Sequence, residues 1–272
     1  MQKAIIAVIG AGNMGSAIIG GLIAAGHEPL SIRASGRRLS SLDKLKALGI
    51  HITIDNIEAA MDCDVLILAT KPQQISTVLT ELAPLIEKQK PLLISVAAGS
   101  EEARLRKQLP GNPSIVIAMP NTPALIRSGV TTLYANAFVT KAQKQLVEEI
   151  FNAVGHTIWL DNEQHLHTIT ALSGTGPAYF FLLMEALQQA AIQLGLPDNI
   201  AKTLTIHTAL GSARMAEESQ QDLDMLRKQV TSPGGGTERA LSVLLESNKF
   251  HTLVFQAVQA AQQRYQEMAT KE

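Results

Sequence analysis

The chain has 272 residues, 46% of them hydrophobic, and a formal net charge of −1. This length and composition predict a globular protein with one large domain or two ordinary ones. The near-neutral charge, with no basic block among aromatic residues, argues against nucleic acid or an anionic membrane as a partner. The single cysteine, Cys63, cannot form an internal disulfide and is interpreted as a small residue entering a strand.

The first predicted element is an apolar strand at residues 4–9, followed by a glycine loop and a helix rich in small residues. Residues 4–26 carry no charge, but glycines break the run, so it is not expected to be a signal peptide or a membrane span. Because no other long apolar segment is present, the expectation is a soluble cytoplasmic protein without a membrane partner.

The loop Gly10-Ala11-Gly12-Asn13-Met14-Gly15 matches the pattern G-x-G-x-x-G. The pattern alone is a weak signal, but here it follows a strand and opens a helix. In that setting the first glycine makes the turn, the second admits a pyrophosphate and the third packs the helix on the strand. The sequence therefore predicts a dinucleotide site.

The second predicted strand, residues 30–34, is followed by Ser35-Gly36-Arg37-Arg38, where an NAD site usually has an acidic residue. A guanidinium suits a 2′-phosphate, which a carboxylate would repel. NADP(H) is therefore preferred over NAD(H). The alternative is that Arg37 and Arg38 form only the solvated start of a helix.

Further strands are predicted at residues 64–69, 92–96, 114–118 and 131–135, with helical segments between them. This alternation predicts an α/β fold with a parallel, doubly wound sheet. The carboxyl ends of such strands line the ligand crevice. We therefore expect the turn that ends at Pro72, and the stretch from Val96 to Gly99, to follow the cofactor.

From Glu163 onward the pattern becomes all-helical, with predicted helices at residues 163–194, 198–218, 222–230 and 237–269. The chain is accordingly divided into a Rossmann domain, residues 1–160, and a helical domain, residues 161–272. The helices carry Leu and Ala on all sides and few charges, so dimerisation through this half is expected. The stretch from Tyr179 to Met184 is interpreted as core.

The stretch T-S-P-G-G-G-T, residues 231–237, places three glycines directly before a predicted helix. Backbone N–H groups are unobstructed there, and a helix N-terminus favours an anion. An anion site is predicted. His165 and His167 are two residues apart, which on a helix points them in different directions and argues against a shared metal.

Five motifs together resemble the pyrroline-5-carboxylate reductase family: I-G-A-G-N-M-G at 9–15, L-A-T-K-P-Q at 68–73, M-P-N-T-P-A at 119–124, A-L-S-G-T-G-P-A-Y at 171–179 and T-S-P-G-G-G-T at 231–237. The resemblance implies reduction of 1-pyrroline-5-carboxylate to L-proline, the last step of proline biosynthesis. It implies NADPH as cofactor, with NADH as a second donor. It also implies a Rossmann domain and a helical domain that interlocks two subunits into a homodimer or a higher oligomer of dimers.

The resemblance also assigns roles to individual residues of the cofactor site. The pyrophosphate would be bound by Ile9, Gly10, Ala11, Gly12, Asn13 and Met14. The adenosine phosphate would be bound by Ser35 and Arg37, and the adenosine side of the cofactor by Asn56. The ribose and nicotinamide would lie along Ala69, Thr70, Lys71, Pro72, Val96, Ala97 and Ala98, with Pro120 and Asn121 nearby.

For the substrate, the resemblance places the carboxylate on the N–H groups of Gly235, Gly236 and Thr237, with the Thr237 hydroxyl facing the ring nitrogen as the catalytic group. A hydroxyl is a poor acid at neutral pH, so Thr237 is expected to orient and assist an already protonated iminium. Many family members have S-P-G-G-T-T-I or S-P-G-G-A-T-I here. The glycine at Gly236 therefore predicts a more flexible loop, and Glu238 adds a negative charge near the anion.

Two other functions remain open from the sequence. One is a different NADP-dependent imine or 3-hydroxyacid reductase, but the catalytic lysine usual in the hydroxyacid class has no counterpart before Lys202. The other is a non-catalytic NADP-sensing regulator, against which the intact S-P-G-G-G-T loop argues. The stretch from Ser173 to Pro177 is interpreted as a close helix crossing that also lines the site.

Overall fold

The computed structural model describes residues 4–270, apart from the side chain of Thr270. Contacts group the chain into two compact units, Met1–Thr175 with Ala261–Glu272, and Gly176–Ala260. These units begin and end at other residues than the predicted domains 1–160 and 161–272. The first helical turns after Glu163 and the end of the last helix belong with the sheet-containing unit, which accounts for the difference.

The first unit is built on a sheet whose strands are β1 (Ile6–Ile9), β2 (Ile32–Ser35), β3 (His51–Thr53), β4 (Val65–Leu68), β5 (Leu92–Ser95), β6 (Ile115–Pro120), β7 (Gly129–Ala135) and β8 (Gly155–Leu160). Their order is β3-β2-β1-β4-β5-β6-β7-β8. The doubly wound arrangement is confirmed, and the six strands predicted from sequence are all present. The strands β3 and β8 were not predicted, since β3 has only three residues and β8 begins G-H-T without an apolar run.

One pairing differs from the predicted parallel sheet, because β6 and β7 run antiparallel. The connection between them, residues 121–128, is shorter than the dozen or so residues that a parallel crossover needs. The remaining neighbours pair in parallel. The sheet is therefore mostly parallel, and it departs from the predicted parallel arrangement at this hairpin alone.

Helices cover both faces of the sheet, and the strands are accordingly buried on both sides. The helices of this region are α1 (Asn13–Ala24), α2 (Asp43–Lys46), α3 (Asn56–Ala60), α4 (Pro72–Gln89), α5 (Glu102–Lys107), α6 (Lys141–Asn152) and α7 (Leu166–Ile169). On one face, Ile6 and Val8 of β1 pack with α1 and α6. On the other, Ala7 and Ile9 pack with α3, α4 and α5. The strand ends of β1, β4, β5 and β6 thereby share one carboxyl edge.

The helical half begins with a π-helical turn, Thr170–Gly174, followed by α8 (Gly176–Gln193), α9 (Asp198–Glu218), α10 (Leu223–Gln229), α11 (Gly236–Leu244) and α12 (Lys249–Thr270). The helices predicted at 198–218 and 222–230 are confirmed. The predicted stretch 163–194 is interrupted by the π turn. The stretch 237–269 breaks at Ser247 and Asn248, whose φ angles are 52° and 56°; short polar side chains tolerate this left-handed conformation best.

The second unit exposes many large apolar side chains. In α8, for example, Phe180 is 67% exposed, Phe181 62% and Leu182 65%. The interpretation of Tyr179 to Met184 as core is therefore wrong for the single chain. An apolar surface of this kind marks an interaction site. Among the described residues, no helix is both long and apolar enough to cross a bilayer.

Candidate active site

The glycine loop after β1 is held between two neighbouring strand ends. Gly10 has a φ of +81°, and a Cβ there would lie 2.4 Å from the Thr70 side chain, so only glycine fits. The N–H groups of Gly10 and Ala11 both donate to the Ser35 carbonyl, at 3.1 and 2.9 Å. The loop that follows Ile9 is thus fixed against the ends of β2 and β4.

The helix α1 begins at this loop with its N-terminus open. Gly12 is the N-cap, and no side chain among the described residues caps the helix. The first-turn N–H groups, including those of Asn13 and Met14, therefore have no intrahelical acceptor and favour an anion. Gly15 packs as predicted, since a Cβ there would lie 3.1 Å from the Val8 side chain and 3.3 Å from that of Ala69.

At the end of β2, the predicted adenosine residues form a hydrogen-bonded chain. Ser35 is fully buried, and its hydroxyl donates to Asn56 Oδ1 at 2.7 Å. Asn56 Nδ2 in turn donates to Glu81 Oε2 at 2.8 Å. Ser35 thus orients Asn56, the first residue of α3. Arg37 and Arg38 are exposed, and neither guanidinium forms an ion pair within residues 4–270.

The turn after β4 lies directly against the glycine loop. The Ala69 N–H donates to the Ile9 carbonyl at 2.8 Å. The Thr70 hydroxyl is buried and makes no hydrogen bond to any described residue. A buried hydroxyl without a partner is costly, so this group fits a polar ligand at the strand edge. Lys71 is exposed, and Pro72 begins α4.

The stretch after β5 continues the same edge. The Val96 N–H donates to the Leu68 carbonyl at 3.0 Å, and Ala97 is buried while Ala98 is half-buried. A cleft of about 500 Å³ opens beyond them, lined by the first turn of α4, the residues Gly99 to Glu101 and the helix α5. Arg104 and Gln108 of this cleft were not predicted as site residues, because no sequence motif includes them.

The motif M-P-N-T-P links the sheet edge to the π turn. Pro120 is the last residue of β6, and Asn121 is 9% exposed. Asn121 Oδ1 accepts a hydrogen bond from the Val130 N–H at 2.9 Å, and its Nδ2 donates to the Ser173 carbonyl at 3.1 Å. The Asn121 amide thus joins the β6–β7 hairpin to the S-G-T-G-P stretch.

In the second unit, the S-P-G-G-G-T loop also leads into an open helix N-terminus. Gly234 has a φ of +71°, and Gly235 is the uncapped N-cap of α11. The Gly235 N–H donates to the Ser232 carbonyl at 3.0 Å. That donor is engaged within the loop, and Gly236 and Thr237 supply the first N–H groups of the helix. A Cβ at Gly236 would meet no atom within 4 Å.

Burial raises the pKa of ionisable groups of the first unit, that of the Tyr134 hydroxyl among them. It raises the pKa of the Cys63 thiol to about 12, which leaves the sulfur protonated and unreactive at neutral pH. The pKa of Glu163 is raised by burial, an effect opposed by a hydrogen bond from the Glu102 N–H. The interpretation of Cys63 as a small structural residue fits this environment.

A doubly wound sheet with a glycine loop and an open α1 N-terminus at its carboxyl edge defines a Rossmann-type dinucleotide-binding protein. Two family models match the chain, one described as NADP oxidoreductase, coenzyme F420-dependent, at residues 5–99, and one as pyrroline-5-carboxylate reductase dimerisation, at residues 163–268. The pyrroline-5-carboxylate reductase of Pseudomonas aeruginosa is 45% identical over 265 residues, which cover 97% of this chain and 96% of the relative.

Two solved structures extend the likeness. The pyrroline-5-carboxylate reductase of Coxiella burnetii superposes with a TM-score of 0.94 at 46% identity, covering 99% of this chain and 100% of the other. The pyrroline carboxylate reductase of Plasmodium falciparum, solved with NADP bound, gives a TM-score of 0.89 at 31% identity, with 99% and 100% coverage. The chain belongs to the pyrroline-5-carboxylate reductase family.

Proposed function

We propose that this protein reduces 1-pyrroline-5-carboxylate to L-proline with NAD(P)H, the last step of proline biosynthesis. The observation that carries the proposal is sequence identity of 38–45% to enzymes of this name over 97–99% of the chain. The geometry supports it, because each glycine loop leads into a helix with an uncapped N-terminus. The two loops offer separate anion sites, one suited to a pyrophosphate and one to a carboxylate.

The cofactor site is assigned to the carboxyl edge of the sheet. The N–H groups at the start of α1 would bind the pyrophosphate, and Asn56, oriented by Ser35, would bind the adenosine side. The unpaired Thr70 hydroxyl would find its partner on the bound cofactor. Arg37 is free to meet a 2′-phosphate, which favours NADPH. The nicotinamide supplies the hydride when it is bound.

The substrate site is assigned to the start of α11. The N–H groups of Gly236 and Thr237 would bind the substrate carboxylate, and orientation of this kind lowers reaction barriers by several kcal/mol in general. The Thr237 hydroxyl would hydrogen-bond the ring nitrogen. The iminium nitrogen gains an electron pair as its carbon is reduced, so a hydroxyl that holds the nitrogen assists without delivering the proton itself.

The assembly is proposed to be a homodimer, or a higher oligomer of dimers, formed through the helical half. The exposed apolar side chains of α8 support this, as does the match to a dimerisation family model. A cytoplasmic location is proposed as well, because the only cysteine is buried and unpaired.

The decisive experiment follows NADPH consumption with 1-pyrroline-5-carboxylate and identifies the product by chiral chromatography. L-Proline is the expected product. Matched reactions with an acyclic imine and with a 3-hydroxyacid plus NADP⁺ test the rival reductases. Turnover of a rival substrate without turnover of pyrroline-5-carboxylate would refute the proposal, and turnover of none of them would favour a cofactor-sensing protein.

A further inference from the structure

The last two turns of α12 belong to the sheet-containing unit, and one face of them contacts other parts of that unit. Gln262, Tyr265 and Ala269 are spaced by three and four residues, which places them on the same side of a helix. Gln262 Nε2 donates to the Thr168 hydroxyl at 2.5 Å, and the Ala269 carbonyl accepts a hydrogen bond from Arg104 at 2.7 Å. Between these contacts, the Tyr265 hydroxyl lies 3.0 Å from Thr175 Oγ1.

Thr175 closes the π turn. Its N–H donates to the Thr170 carbonyl at 3.0 Å, the five-residue spacing that defines a π-helix. Such turns are rare, occur mostly as single bulges inside α-helices and are frequent at functional sites. The five-residue spacing is less favourable than the α-helical one. The Thr175 hydroxyl, 3.4 Å from the Thr170 carbonyl, supports it from within the helix, and contacts from outside add to this support.

Two side chains from distant parts of the sequence provide those outside contacts. Asn121 donates to the Ser173 carbonyl from the carboxyl end of β6, and Tyr265 bonds to Thr175. If the turn relaxed into a regular α-helix, the residues after the bulge would rotate by about 100° relative to those before it. The Ser173 carbonyl and the Thr175 hydroxyl could then no longer keep both contacts.

The π turn matters for the reaction because of where Asn121 lies. Asn121 directly follows β6, whose neighbour β5 ends at the residues assigned to the cofactor. The Asn121–Ser173 hydrogen bond therefore fixes the π turn at the carboxyl edge of the sheet, the region in which open α/β folds bind their ligands.

We propose that Tyr265 is a positioning residue for the reduction. Acting through Thr175, its hydroxyl holds the π turn in the position at which the Ser173 carbonyl bonds to Asn121, at the edge of the cofactor crevice. The inference rests on the proposed function for its kinetic consequence. Its structural part, the coupling between the Tyr265 hydroxyl and the π turn, is independent of which substrate is reduced.

The kinetic test uses Tyr265→Phe, which deletes only the hydroxyl, and Thr175→Val, which deletes its partner together with the longer hydrogen bond from the Thr175 hydroxyl to the Thr170 carbonyl at 3.4 Å. Each should lower kcat for pyrroline-5-carboxylate by about fivefold to fiftyfold, because even a small displacement of the groups that position the reactants slows the reaction. The KM for NADPH should stay within about twofold. Because the Tyr265 hydroxyl acts through that of Thr175, the double variant should match Thr175→Val. Thr175→Ser keeps the hydroxyl and should restore turnover.

The matched control is Tyr134→Phe, since no residue of the described part of the chain hydrogen-bonds the Tyr134 hydroxyl. This control should leave kcat unchanged. Wild-type kcat in Tyr265→Phe, or additive losses in the double variant, would overturn the proposal. If Tyr265→Phe does not fold, the comparison of Thr175→Val with Thr175→Ser tests the Tyr265 contact together with the bond from Thr175 to the Thr170 carbonyl, and wild-type kcat in Thr175→Val would overturn the proposal.

Amide hydrogen exchange of residues 170–175, measured by mass spectrometry on the full chain without substrate, separates this inference from the proposed function. Exchange there should accelerate in Tyr265→Phe and Thr175→Val at an unchanged unfolding temperature, and not in Tyr134→Phe. Unchanged exchange would overturn the coupling. An inactive wild-type protein would refute the proposed function, and the exchange result would still decide the coupling.

Discussion

The carboxylate of Glu238 accepts a hydrogen bond from the backbone N–H of Gly234 at 2.7 Å. A side chain in the first turn of α11 thereby closes the glycine loop that precedes the helix. Gly236 has no side chain to stiffen this loop, and a Cβ there would meet nothing within 4 Å. Glu238 therefore stabilises the loop while placing a negative charge beside the proposed carboxylate site.

These two effects of Glu238 can be separated by substitution. Glu238→Gln keeps an acceptor for the Gly234 N–H and removes the charge, so KM for pyrroline-5-carboxylate should fall by about twofold to fivefold, the modest size expected for an exposed charge. Glu238→Ala removes charge and acceptor together and should raise KM above that of the Gln variant. Steady-state kinetics would contradict this account if both variants gave the same KM.

Substitution of Thr237 tests how much its side chain contributes to catalysis at the start of α11. Thr237→Val keeps the shape and deletes the hydroxyl, so kcat and kcat/KM should fall together by about tenfold to several hundredfold. Thr237→Ser is the matched control and should retain most of the activity. Normal turnover in Thr237→Val would refute the role of the Thr237 hydroxyl. The protonated substrate or water would then be the proton source.

Substitution of Gly236 tests how much the backbone N–H groups at the start of α11 contribute to substrate binding. The open space around it means that Gly236→Val should fold, while the added branched side chain narrows access to the first N–H groups of α11. KM for pyrroline-5-carboxylate should rise by more than about tenfold, and NADPH affinity should change little. An equal loss of affinity for both ligands would argue against a carboxylate at this position.

Cofactor choice is predicted to depend on Arg37, which is exposed and forms no ion pair with a described residue. Arg37→Ala should raise KM for NADPH by about tenfold, as expected for one lost charge-assisted contact, and leave KM for NADH nearly unchanged. The neighbouring Arg38→Ala is the comparison that shows which guanidinium meets the phosphate. If Arg37→Ala and Arg38→Ala each changed KM for NADPH and KM for NADH equally, neither guanidinium would contact the 2′-phosphate.

Assembly can be tested on the exposed apolar side chains of α8. Phe180→Glu should convert a stable dimer at micromolar concentration into a monomer, measured by light scattering, because Phe180 is 67% exposed in the single chain. Leu30→Glu is the matched control, since Leu30 is 78% exposed but lies on the sheet-containing unit. Wild-type protein that remains an active monomer would contradict dimerisation through the helical half.

The raised pKa of Glu163 predicts a pH dependence of stability. Burial makes the native carboxyl bind its proton more tightly than the unfolded one, so the free energy of unfolding gains a contribution as pH falls through the native pKa. Glu163→Gln removes the charge and keeps an oxygen for the Glu102 N–H. Its unfolding temperature should exceed that of the wild type at neutral pH, and the difference should shrink in acid. A lower unfolding temperature at neutral pH would contradict this.

Much of the fold and of the cofactor site follows from local sequence. The apolar strands, the glycines at 10, 12 and 15, and the glycine run before α11 specify backbone conformations within a few residues, so their structures could be predicted. The missing acidic residue after β2 similarly indicates NADP without reference to any distant contact.

The tertiary structure alone decided the features that join distant segments. The short β6–β7 connection turned one strand pair antiparallel, and Ser35 proved to orient Asn56 from a buried position. The π turn depends on Asn121 and Tyr265, which lie 52 and 90 residues from their partners. Periodicity and turn chemistry report on neighbours a few residues apart, whereas such contacts exist only once the sheet and its helices have packed.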